Sequence, residues 1–179
     1  MNRILTRSVI IGIIAVALIA GIALYYLQVY AYYTEVAAPA EDGITLVSLT
    51  SGAPEAIPFD NFRGIDSDSS PIRYRACFDT VMSQATLTEV YQTYPEAVPL
   101  VAPGWFDCFD AEAIGTALES GEAIAFLGQK DVTWGIDRVI AVLPDGSAFA
   151  WNQINACGEV VFNGSPAPEG CPPVPERLQ

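Results

Sequence analysis

The sequence predicts an α+β architecture. One N-terminal transmembrane helix precedes a small disulfide-stapled domain with a mainly antiparallel sheet and two short helices. Three observations predict this. Residues 8–34 form a run of 27 residues without a charge. Four cysteines, Cys77, Cys108, Cys157 and Cys171, all follow that run. The chain beyond it mixes short apolar runs of strand period with capped segments of helical period.

The apolar run comes first. Residues 9–27 are almost wholly aliphatic until Tyr25. At about 1.5 Å per residue they span roughly 28 Å, close to the hydrocarbon thickness of a bilayer. Arg3 and Arg7 precede the run, and the next basic residue is Arg63. The positive-inside rule therefore predicts a cytoplasmic segment at 1–7, a spanning helix at 8–30, and the remainder outside. Tyr25, Tyr26, Tyr30, Tyr32 and Tyr33 crowd the outer end, where amphipathic rings suit the headgroup region. A cleaved signal peptide is the competing reading, with small-residue sites at 36–38 or 38–40. Pro39 adjoins either cut and the run is long for a secretory core, so an uncleaved anchor is expected. Ala17 and Gly21 form one small-xxx-small pair, a candidate helix-docking face, although chance explains a single pair more simply.

After the anchor, residues 31–43 read as a linker, 44–165 as the folded domain and 166–179 as a Pro-rich tail. Residues 44–49 (ITLVSL) alternate and predict the first strand. Residues 51–60, with Gly52, Pro54 and Pro58, predict a loop. Residues 66–71 form a turn cluster, and 72–78 (IRYRACF) predict a strand that puts Arg73, Arg75 and Cys77 on one face. Residues 86–94 predict a short helix, with Thr86 as N-cap and Glu89 at capping-box spacing. Three prolines then force an extended connector to residues 104–109. Asp110 caps a second helix over 111–120, and Gly121 stops it. Strands follow at 123–127, 136–143 and 148–153, with a turn at 144–147.

The chemistry is bounded mostly by what is missing. The chain has no histidine, which excludes Ser-His-Asp and Cys-His catalysis and the usual catalytic zinc sites. There is no GxGxxG and no P-loop, so no nucleotide is expected. All 21 acids follow residue 34, and six basic residues there leave a net charge of −15. Nucleic acid is therefore not an expected partner. Four cysteines without CxxC spacing, in an oxidising compartment, read as two disulfides rather than zinc ligands. Proximity favours Cys77–Cys108 and Cys157–Cys171.

Asp66-x-Asp68-x-Ser70 resembles the start of a calcium loop. Pro71 then stands where glycine is needed and Cys77 where a bidentate glutamate is needed, so a turn is the simpler account. Asp107 and Asp110, beside Trp105, Phe106 and Phe109, have the makings of an acid/base pair. A cap role for Asp110, and an ion pair from Asp107 to Arg73, Arg75 or Arg138, are the expected uses. Asp137-Arg138 is an expected exposed-face pair in an apolar strand, with Arg138 directed toward Glu112 and Glu119. Trp105, Trp134 and Trp151 are expected as core and turn anchors. No cofactor and no metal are expected.

The blocks 69–78 (SSPIRYRACF), 105–111 (WFDCFDA), 135–139 (GIDRV) and 157–159 (CGE) resemble an uncharacterised alphaproteobacterial family of single-pass, membrane-anchored periplasmic proteins. The resemblance runs end to end. It implies a bacterial inner membrane and a Gram-negative periplasm, and transfers no catalytic residue. The expectation is a non-enzymatic accessory or assembly factor of an inner-membrane protein complex. The alternative is a periplasmic binding or sensing domain for a cation or small basic ligand.

Overall fold

The computed structural model describes residues 3–40 and 43–176. Residues 1–2 of the expected cytoplasmic segment, 41–42 of the linker and 177–179 of the tail lie outside the described residues. The chain forms two units, Met1–Thr34 and Glu35–Gln179. The first is helix α1 (Arg3–Val29). Its stretch Thr6–Val29 is long and apolar enough to cross a membrane, and none of it is buried. Those are the properties of a membrane anchor or a signal sequence.

The second unit is built on a six-stranded sheet. Its strands are β1 (Thr34–Val36), β4 (Asp60–Asp66), β5 (Arg75–Asp79), β6 (Ile124–Thr133), β7 (Ile136–Val142) and β8 (Ser147–Ile154). Their order is β1-β4-β5-β8-β7-β6, and the β4–β5, β5–β8, β8–β7 and β7–β6 pairs are antiparallel. Strands β2 (Thr45–Val47) and β3 (Pro54–Ala56) form a separate antiparallel pair. Extended residues 91–94 join the two sheets. Gln92 N–H donates to Val47 O at 2.8 Å on one side, and Tyr94 N–H donates to Ala125 O at 2.8 Å on the other.

Side-chain alternation gives the large sheet two packed faces. On one, Ala76, Phe78, Phe126, Ile140, Val142, Ala148 and Ala150 meet Ile44, Leu46 and Ile57 from the small sheet, with Leu87 of helix α2 (Gln84–Val90). On the other lie Cys77, Phe149 and Trp151. Residues 95–110 cover that face, and the Phe109 ring meets Phe149 and Trp151 edge-on at 6.1 and 6.2 Å. The Cys77–Cys108 disulfide and Arg75 pin this connector down. Arg75, 4% exposed, donates to Leu100 O at 2.7 Å, Val101 O at 3.2 Å, Ile72 O at 2.8 Å and Tyr74 O at 2.7 Å. Helix α3 (Ala111–Ser120) continues the connector and buries Ile114 and Ala117.

Helix α3 has the expected bounds. Asp110 accepts from Glu112 N at 3.0 Å and Ala113 N at 3.1 Å, and Gly121 closes the helix at φ 76°. The second disulfide joins Cys157 to Cys171. Elsewhere the structure corrects the sequence reading. The expected linker contains β1, and the expected loop over 51–60 contains β3 and opens β4. Gly52 and the prolines hid these strands. A Cβ on Gly64 would lie 2.7 Å from the Phe62 ring, which would have to shift.

Strand β5 starts at Arg75, because residues 70–73 belong to the preceding turn. Arg73 therefore does not share a strand face with Arg75 and Cys77. Helix α2 is capped by Ser83, whose Oγ accepts from Thr86 N at 3.2 Å, so the Thr86–Glu89 box is not used. That helix ends at Val90 to free residues 91–94 for bridging.

Among the described residues the domain has three short helices rather than two. The third, α4 (Ala156–Phe162), is capped by Asn155, whose Oδ1 accepts from Gly158 N at 3.0 Å. It seats on the β6–β7 turn through a glycine contact. Gly135 has φ 78°, and a Cβ on Gly158 would collide with its carbonyl.

Two stability changes follow. Gly158→Ala should lower unfolding free energy by about 1–3 kcal/mol, because backbone must move to admit the methyl. Arg75→Met should cost about 3 kcal/mol, since it leaves buried carbonyls short of donors. Urea unfolding of the detergent-solubilised protein, read by tryptophan fluorescence, measures both. Arg75→Met should also open residues 95–105 to limited proteolysis.

Candidate functional site

The small sheet and α2 cover only part of their face of the large sheet. Along β7, Ile140 and Val142 lie in the core, while Ile136 and Arg138, on the same face, lie beyond it. Along β8, Ala148 and Ala150 are covered, while Asn152 and Ile154 line open space. A groove of about 690 Å³ results. Trp134 and Phe162 wall one side, ring to ring at 6.1 Å. The 66–72 turn forms the other side, bringing Asp66, Asp68 and Ile72 to the lining. Trp134 is itself held by its indole N–H donating to Pro172 O at 3.3 Å, behind the Cys157–Cys171 bridge.

The polar floor is one rung of the sheet. The register aligns Ile65, Arg75, Trp151 and Val139 across β4, β5, β8 and β7. The next rung pairs Arg138 with Asn152, while Tyr74 directly precedes β5 and Asp66 ends β4. Arg138 leans along this rung until its Cζ lies 3.7 Å from the Tyr74 ring centroid. Its Nε donates to Asn152 Oδ1 at 3.0 Å, and Asn152 Nδ2 donates to Pro71 O at 2.6 Å. Stacking and the Asn152 bond hold the guanidinium plane. Among the described residues, its terminal nitrogens make no hydrogen bond to protein. Burial pushes the Tyr74 hydroxyl up, the Arg138 charge opposes this, and Asp66 adds to it. Both charges therefore act on that hydroxyl.

The other sequence-selected residues do not converge here. Asp107 pairs with Arg63 at 2.7 Å on the surface, rather than with Arg73, Arg75 or Arg138. The Arg63 hydrogen bond and charge hold that carboxyl below the usual range. Arg63 lies in residues 61–65, to which the sequence reading assigns no element. Asp110 is a helix cap. Arg73 donates to Ser69 Oγ at 3.0 Å, within its turn. Arg138 turns to Tyr74 rather than to α3 with its Glu112 and Glu119.

Asp137 is not on an exposed face: it is 5% exposed. It accepts from Asp131 N at 2.9 Å, Asn155 Nδ2 at 2.9 Å and Tyr94 OH at 3.3 Å. It thereby ties the β6–β7 turn, the α4 cap and the inter-sheet bridge together. On α1, a shallow concavity is lined by Val9, Gly12, Ile13, Val16, Ala17 and Ala20; Gly21 is outside it. The arrangement Tyr74–Asn152–Arg138 escaped sequence reading, although an arginine inside an apolar strand was its visible trace.

The Tyr94 hydroxyl is pushed up, first by burial, then by the Asp137 charge and hydrogen bond and by Glu96. The unfolded chain releases this proton at about pH 10, before the folded chain does. Stability is therefore complete below about pH 10 and falls as pH rises beyond it. Urea midpoints measured between about pH 9 and 11 should fall, and Tyr94→Phe should flatten that slope.

No curated protein and no solved structure matches the chain. Residues 44–172 match a family model, starting just before β2 and ending just after Cys171. That match covers more than half of the sequence, and the chain belongs to DUF6446, a family of unknown function.

Proposed function

We propose that this protein is a non-enzymatic, single-pass membrane protein serving as an accessory or assembly factor of an inner-membrane protein complex. Helix α1 is its uncleaved anchor, with the N-terminus cytoplasmic and the acidic domain in the periplasm. One observation carries the non-enzymatic reading. The acids best placed for acid/base chemistry are committed to structure: Asp107 to Arg63, Asp110 to a helix cap, Asp137 to three part-buried hydrogen bonds. The charge step across α1 supports the orientation. The two disulfides favour an oxidising compartment.

A second reading has its own observation. Asp66 and Asp68 line the groove, which suits a binding or sensing domain for a small basic ligand.

Mild-detergent purification of the tagged full-length protein should recover membrane-protein partners in constant ratio. Migration only as a free monomer would count against the accessory role. Exchange of α1 for an unrelated anchor separates tether from docking helix: loss of the partners assigns docking to α1, and retention leaves it a tether.

A further inference from the structure

We infer that the groove between the 66–72 turn and the Trp134–Phe162 wall binds a small zwitterion with a large apolar side chain, an α-amino acid by chemical class. This rests on the reading of the groove as a binding site and puts a zwitterion in place of a simple basic ligand. A guanidinium stacked on the Tyr74 ring, held at Nε by Asn152, and carried by a residue that lines the groove is a ready fork for a carboxylate. Its plane is set before any ligand arrives, so little ordering is left to the binding step.

The rest of the groove selects the remainder of the ligand. Asp66 ends β4, and its charge and that of Arg138 both act on the Tyr74 hydroxyl, on whose ring the Arg138 guanidinium stacks. The cation therefore lies close to the acidic turn, where Asp66 and Asp68 meet the lining. Adjacent opposite charges match the short carboxylate-to-ammonium spacing of an amino acid.

The wall of Trp134, Ile136, Ile154 and Phe162 takes the apolar side chain. Net charge decides against a simple carboxylate. The domain carries −15, which repels an anion approaching from solution but not a neutral zwitterion. A volume of about 690 Å³ lies in the range of small-molecule sites.

Isothermal titration of the full-length protein in detergent micelles tests this with three ligands: L-phenylalanine, phenethylamine, which lacks the carboxylate, and 3-phenylpropanoate, which lacks the ammonium. Phenylalanine should bind at least tenfold more tightly than either analogue. Arg138→Gln should weaken it at least tenfold. Asp68→Asn lies in the exposed turn, leaves the sheet untouched, and should weaken phenylalanine while sparing 3-phenylpropanoate. Phenethylamine binding as tightly as phenylalanine, indifferent to Arg138→Gln, would overturn the zwitterion and leave the basic-ligand reading standing. No heat from any of the three would overturn both.

Discussion

A buried guanidinium is the interaction on which one whole layer of the domain depends. Residues 95–110 carry three prolines and form no regular element, so they supply no hydrogen-bonded ladder of their own. They nevertheless cover a sheet face. Arg75 makes this workable by giving backbone carbonyls on both sides of the layer, in the strand and in the connector, one shared donor group. Burying a charge costs several kcal/mol unless hydrogen bonds replace its water. Here four of its bonds go to carbonyls that would otherwise face a dry interface. The Cys77–Cys108 bridge, two residues along the same strand, adds a covalent tie and leaves Phe109 seated against Phe149 and Trp151.

The opposite face obeys a different constraint. Its cover, the small sheet with α2, is shorter than the strands beneath it. The covered part is lined by alanine, valine, isoleucine and phenylalanine, which fill the space between the layers. Where the cover stops, the same alternation brings Asn152 and Arg138 to the groove lining, so the groove is the continuation of the core by other residue types. Its far wall depends on α4, and α4 depends on two glycines close enough to exclude any side chain. The Asp137 cluster then links that wall to the bridge between the sheets, so groove and scaffold share one hydrogen-bond network.

Legibility in the sequence followed locality. Helix α3 was readable because Asp110 and Gly121 mark its ends within a dozen residues. The hairpin of β7 and β8 was readable because strand alternation and a Pro-Asp-Gly-Ser turn agree. Strand β4 was not, since its pairing with β5 shifts register between Asp60 and Arg63 and its burial does not alternate. Helix α4 was not, since Gly158 is there for Gly135, which stands far from it in sequence. Thr86 was read as a cap because its spacing to Glu89 fits, yet Ser83 three residues earlier fits its own backbone better. For α4 the deciding contact lies far away in sequence, whereas for α2 two local cap signals competed.

The sequence by itself determined the apolar helix, the acidic outer domain, the disulfide chemistry and the absence of histidine-based catalysis, because these depend on composition and on residues near in the chain. Only the tertiary structure decided that Arg75 would be buried while Arg138 would line a groove, or that Asp107 would meet Arg63. All three arginines sit on strands of similar pattern. What separates them is the layer laid over each, and that layer comes from residues distant in sequence, placed by the order in which the strands pair.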